Sequence, residues 1–242
     1  MMLIMTDVRK TFLDCWKEFA RVVVQKFPLL GYRFNPNEIL KHECVSGVSY
    51  KQLDETQGKY DRLFNTQSSQ EANAINNEDV QFLRKIIEMV GSLPTAYDDC
   101  IKIDDAFTCH IKDNVKSVVD VMISKAYSYV PILDSRNKLV GIFSNGTQLE
   151  MRKRDIGIVE ELTFEDIVDL VVMKAHEELA VCKNEKFLFV GRNTARSELQ
   201  AHTSMAKTKE DIIFVTETGD STEPILGFLT FTDVHNLSHQ AD

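Results

Sequence analysis

The spacing of apolar residues changes character near residue 100. Before it the period is helical. Val8, Phe12, Cys15, Phe19, Val22 and Val23 recur at helical intervals until Phe27-Pro28 breaks the run, which predicts a first helix. Val80, Leu83, Ile87 and Val90 form a second stripe over about Glu78–Val90, with Asn77 as its N-cap and Gly91 as its stop. The stretch between, 65–77, is rich in Ser, Gln and Asn and is expected to be an exposed loop. Roughly two or three helices cannot enclose much core by themselves, so this segment is expected to pack on the rest of the chain or on a partner.

Beyond residue 100 the pattern becomes strand, helix, strand, strand. Phe107–Ile111 is a short strand candidate, and Val115, Val118, Val119, Met122 and Ile123 share a helical face behind the capping candidates Asp113 and Asn114. Val130–Leu133 and Leu139–Phe143 flank a polar Asp134–Asn137 turn. The same order then returns. Phe187–Gly191 is a strand and Thr194–Met205 a helix. Ile212–Val215 and Ile225–Leu229 are strands around a longer turn through Gly219 and Pro224. Between the copies, Thr163-Phe-Glu-Asp166 reads as a capping box, with Leu162 and Ile167 as its hydrophobic staple, opening a helix over about 164–178.

The two copies align closely. VPILDSRNKLVGIFSNGTQL (130–149) matches IIFVTETGDSTEPILGFLTFTDV (212–234), and the pairs Gly141/Gly227, Ser144/Thr230 and Thr147/Asp233 keep one constant separation. The fold class expected is α/β (α+β): two β-α-β-β-α units, each too thin to close a core, packed sheet against sheet behind a small helical segment. The boundaries drawn are 1–97 for that segment, 98–160 for the first unit, 161–182 for a linker helix and 183–242 for the second unit.

Composition narrows the function. The 242 residues are 43% hydrophobic and 27% charged, as in a folded chain. The formal charge of −9 disfavours a general nucleic-acid or anionic-membrane binder. No apolar stretch approaches the length of a membrane helix, and MMLIMTDVRK is unlike a secretory signal, so a cytoplasmic location is expected. Cys15, Cys44, Cys100, Cys109 and Cys182 form no disulfide framework. His42-x-Cys44 and Cys109-His110 lack metal-ligand spacing, so no metal is expected. No phosphate loop, nucleophile elbow or zinc-protease motif is present, and the histidines are scattered, so no catalytic residue and no enzymatic activity are expected.

The repeated ending carries its own chemistry. A carboxylate in the first turn of a helix can accept hydrogen bonds from both hydroxyls of a ribose. A Thr or Ser three residues earlier adds a hydroxyl for a sugar or phosphate oxygen, and the helix start favours an anionic group. Gly227-Phe-Leu-Thr230-Phe-Thr-Asp233 has both groups, although Thr230 and Asp233 also suit a simple helix cap. In Gly141-Ile-Phe-Ser144-Asn-Gly-Thr147 the carboxylate is replaced by Thr147, and Asn145-Gly146 suggests a tight turn, so a weakened or empty first site is expected.

VPILDSRNKLVGIFS and ILGFLTFTDV resemble the end of the CBS domain, the module named for cystathionine beta-synthase, over about residues 100–237 as a tandem pair. The resemblance implies a non-enzymatic regulatory protein whose clefts bind an adenosyl ligand: AMP, adenosine, S-adenosylmethionine, ADP or ATP. It implies ligand-binding positions at Thr230, Asp233, Gly227, Leu188 and Ile213, and at Ser144, Thr147 and Tyr129 in the first copy. It also implies a homodimer and an unidentified protein partner reached through residues 1–97, with a ligand-free dimerisation scaffold as the alternative. Nucleotide-binding relatives place His or Arg before the strands aligned with β-strands at 130 and 212. Here Ser128, Tyr129, Glu210 and Asp211 stand there, with Lys207, Lys209 and Arg192 nearby to compensate, which shifts the expected ligand from ATP toward AMP, adenosine or S-adenosylmethionine. Tyr127 and Tyr129 are candidates to stack on a base.

Overall fold

The computed structural model describes residues 2–29, 35–42, 45–65, 75–171, 187–205 and 212–237. Contacts divide the chain into two compact units, Met1–Thr95 with Asn193–His202, and Ala96–Arg192 with Thr203–Asp242. No helix among the described residues is long and apolar enough to cross a membrane.

The first unit contains α1 (Met2–Lys26), α2 (Pro36–His42), α3 (Tyr50–Asn65) and α4 (Asn77–Gly91). The stripe read on α1 is buried at Phe12, Phe19 and Val23, with Trp16 added. Trp16 meets Phe19 edge-on at 5.3 Å and stacks on Tyr60 of α3 at 4.7 Å. Ile39 and Leu40 of α2, Leu53 of α3, and Val80, Leu83, Ile86 and Val90 of α4 complete one core. The expectation that this segment buries little by itself is therefore corrected. The unrecognised α2 and α3 supply the missing walls, because their apolar residues are too few and too interrupted by polar ones to show a helical stripe.

The N-cap of α4 is Asn76, not Asn77. The Asn76 side chain accepts from Asp79 N, the Asp79 carboxylate accepts from Asn76 N, and Lys59 pairs with the same carboxylate at 2.6 Å. Residues 193–202, expected inside the second repeat, group with these helices. Ala195 is fully buried in their core and donates its N–H to Lys26 O, while Glu198 Oε1 accepts from Leu29 N at 2.6 Å.

The second unit opens with α5 (Ala96–Asp99) and holds both repeats apart from residues 193–202 of the second. β1 (Ile101–Lys102) leads into β2 (Cys109–His110), α6 (Val115–Lys125), β3 (Tyr129–Leu133), β4 (Leu139–Ser144) and α7 (Asn145–Lys153), then α8 (Val168–Val171). The second copy is β5 (Phe187–Gly191), α9 (Arg196–Met205), β6 (Ile212–Thr216), β7 (Gly227–Thr230) and α10 (Phe231–Leu237). Each copy has a parallel pair joined through a helix and then an antiparallel hairpin. The sheets run β2-β3-β4 and β1-β7-β6-β5. β1 was not foreseen: its two residues reach across to pair with β7 of the other copy, Ile101 opposite Phe228 and Lys102 opposite Gly227.

Leu133 and Ile142 of the first sheet pack with Phe187, Ile212 and Phe214 of the second, so the two thin sheets close one core between them, as expected of an α/β pair. The longer second turn has a use. Pro224 bridges to Lys138, and Ile225 N donates to Asn137 O at 2.8 Å, tying one hairpin tip to the other. The α6 cap is Asn114, which accepts from Ser117 N. Asn145-Gly146 is not a separate turn. It is the start of α7, because Ser144 and Thr147 form a reciprocal cap immediately before it. Residues 164–167 are a turn rather than helix, and 172–178 lie outside the described residues. Phe164, Ile167, Leu170 and Val171 pack into the core of the first copy.

Cys109 lies in that same core, and burial pushes its thiol up to about 12, with Asp113 adding to the effect. At about pH 8 almost no thiolate exists there. Cys109 is expected to stay unmodified by a thiol reagent in the folded protein and to react only after denaturation, as peptide mass mapping would read. Native-state labelling of Cys109 at the rate of a free thiol contradicts this packing.

Candidate functional site

The residues at the end of the second copy make a compact polar knot. The Asp233 Oδ2 atom accepts from Thr230 N at 2.7 Å and from the Thr230 hydroxyl at 2.7 Å, while Thr230 Oγ1 accepts from Asp233 N at 3.2 Å. This is a helix cap in which one carboxylate oxygen is used and Oδ1 remains without a described partner. Both residues are half-buried.

Thr230 stands on the wall of a cleft of about 440 Å³. Phe228, Phe231 and Thr232 line it from the second copy, with Ile212 behind them. The first copy contributes Phe107, Tyr127, Ser128 and Tyr129, and the segment after β1 contributes Asp105 and Ala106. Tyr129 and Phe228 also flank the inter-sheet core, so the cleft is the mouth of the layer between the sheets. Phe107 and Tyr127 stack at 6.2 Å with an angle of 22°, and Tyr127 is 42% exposed. The lining therefore carries five aromatic residues and is able to hold a flat ring.

The structure distributes the other expected positions differently. Ser144 and Thr147 are both 0% exposed, capping each other inside the first copy, and do not line the cleft. Leu188 and Ile213 pair with each other across β5 and β6, and Ile213 is fully buried. Gly227 is a packing position. A Cβ there would lie 2.5 Å from both Cys100 Sγ and Ile101 O, so its bare backbone is what lets β1 approach. Asp233 caps rather than lines. Lys207, Lys209, Glu210 and Asp211 lie outside the described residues. Arg192 is engaged elsewhere, 3.1 Å from Glu217 and over the ring of Tyr97.

Sequence reasoning missed Phe107, Phe228, Phe231 and Asp105. Phe228 and Phe231 flank Thr230 in the very stretch read for its hydroxyl, so that signal was available. Nothing in the sequence brings Asp105 to them.

The sequence profile of the CBS domain matches residues 99–146. No curated protein matches the chain in sequence. Among solved structures it is similar to the CBS domain pair of protein MJ0100 in complex with 5′-methylthioadenosine and S-adenosyl-L-methionine, at 15% identity and a TM-score of 0.42, covering 62% of this chain and 99% of that one. CBSX2 in complex with AMP is similar at 16% identity and a TM-score of 0.43, covering 60% and 96%. The CBS-pair protein CBSX2 from Arabidopsis thaliana gives 16%, 0.42, 62% and 96%.

Proposed function

With a CBS domain at residues 99–146 as the premise, we propose that this protein is a non-enzymatic regulator that binds an adenosyl ligand in the cleft between its two repeats. The carrying observation is that aromatic side chains from both copies converge there beside Thr230. The adenine ring lies among Phe107, Tyr127 and Phe231. Thr230, on the wall, meets a ribose hydroxyl, and Asp233 holds the Thr230 hydroxyl in place through its cap bonds. The ligand touches both copies, so it shifts their arrangement by its differential affinity for the two states. The response passes to a protein partner through the helical unit, which shares residues 193–202 with the second repeat.

Calorimetry and thermal shift with adenosine, AMP, ATP and S-adenosylmethionine test the proposal. At least one is expected to raise the melting temperature. Tyr127→Ala is expected to weaken that ligand by roughly three- to tenfold, the worth of one aromatic stacking contact, with only a small loss of unliganded stability because the residue is 42% exposed. Asp233→Asn keeps an oxygen for the cap and is expected to weaken ribose-bearing ligands. If no compound in the panel shifts the melting curve, the sensor reading fails. A ligand-free dimer seen by ultracentrifugation then favours the scaffold.

A further inference from the structure

The charge inside the cleft has a consequence for which adenosyl ligands can enter it. Among the described residues that line it, Asp105 is the sole charged side chain. Asp105 closes a turn after β1, its N–H donating to Lys102 O at 3.0 Å, and its exposed carboxylate has no described partner. Two cations of the flanking segments, Lys102 of β1 and Arg192 after β5, are held elsewhere. Lys102 Nζ sits 3.7 Å from the centre of the Tyr97 ring and 3.6 Å from Cys100 Sγ, and the Arg192 guanidinium lies over the same ring at 4.4 Å. Phe107, Tyr127 and Phe231 line the same cleft, and aromatic faces are electron-rich. A carboxylate among aromatic faces attracts an organic cation by Coulomb attraction and by cation–π contact, and repels phosphate.

We infer that the cleft selects a nucleoside carrying a positive centre, a sulfonium or ammonium group, over nucleoside phosphates, and that Asp105 is the residue that makes this selection. The inference rests on the adenosyl reading of the same cleft. It differs from that reading in what it demands: a preference for charge at constant shape.

S-adenosylmethionine and S-adenosylhomocysteine supply this comparison, since they differ by one methyl group and the sulfonium charge. Calorimetry on the full chain at low salt is expected to show S-adenosylmethionine binding roughly tenfold tighter. Asp105→Asn is expected to erase that difference, leave the affinity for S-adenosylhomocysteine unchanged and keep the melting temperature of the unliganded protein. High salt is expected to narrow the gap in the wild type. Equal binding of the two compounds by the wild type, or a preference that survives Asp105→Asn, overturns the charge selection while the adenosyl cleft stands. Binding of AMP with neither thioether-derived compound also overturns it alone. Absence of binding by all of them overturns both readings.

Discussion

Phe214→Ala is expected to lower the stability of the protein by about 3–5 kcal/mol, the usual cost of emptying a large aromatic site in a packed core. Phe214 is 0% exposed on β6, between Phe187, Phe189 and Phe228, with centroid separations of 6.2, 5.5 and 6.2 Å. It belongs to the layer where Leu133 and Ile142 of one sheet meet the other. β6 is buried along its whole length, paired on both edges and covered on both faces, so the surroundings have little freedom to collapse into the space. Chemical denaturation monitored by circular dichroism measures the loss. Phe214→Leu, which retains most of the volume, is expected to recover most of it. Because Phe228 packs against Phe214 at a tilt of 59° and also lines the cleft, the alanine variant is expected to lose ligand response as well. A change under about 1 kcal/mol contradicts the packing of one sheet on the other.

Gly227→Val is expected to cost about 3 kcal/mol, at the upper end of ordinary overpacking. The reason is space. A Cβ at 227 would lie 2.5 Å from Cys100 Sγ and, less negotiably, 2.5 Å from the backbone oxygen of Ile101. A sulfur can rotate away, but a carbonyl in a strand pair can move only if the strand does. β1 is two residues long and pairs with β7 through Ile101 and Lys102, so it is the element that yields. Ile101 also lines the cleft. The variant is therefore expected to show both a lower melting temperature and a weakened response to whichever adenosyl compound binds the wild type. Hydrogen exchange at the β1 amides discriminates this from general destabilisation. Faster exchange confined to β1 and its partner is the expected outcome, while wild-type protection there contradicts the close approach.

Much of the second unit was legible because its signals are local. The hairpin β3–β4 follows from two apolar runs around Asp134–Asn137, whose turn is held by Asp134 Oδ1 accepting from the N–H groups of Arg136 and Lys138. Those bonds hold the Asp134 carboxyl below the usual carboxylate range. The helical faces of α1, α4 and α6 follow from period alone, and Ser144/Thr147 and Thr230/Asp233 announce helix starts. The site was less legible. The signature was read for its sugar-binding hydroxyl and carboxylate, yet Ser144 and Thr147 satisfy each other out of reach of solvent, and Asp233 spends one oxygen on its own cap. A pattern that caps a helix and a pattern that grips a ribose use the same residue types at the same spacing, so sequence alone cannot separate them.

By itself the sequence determined that two β-α-β-β-α copies exist, where most of their strands and helices lie, and that neither copy could close a core without the other, since these follow from periodicity, turn chemistry and the thinness of each unit. Only the tertiary structure decided that β1 crosses to the opposite copy, that residues 193–202 join the N-terminal helices, and that Asp105, Tyr127 and Phe231 share one cleft. Each of those depends on residues far apart in the chain meeting at one place. The free energy of such meetings lies in shape and burial, which no local pattern encodes.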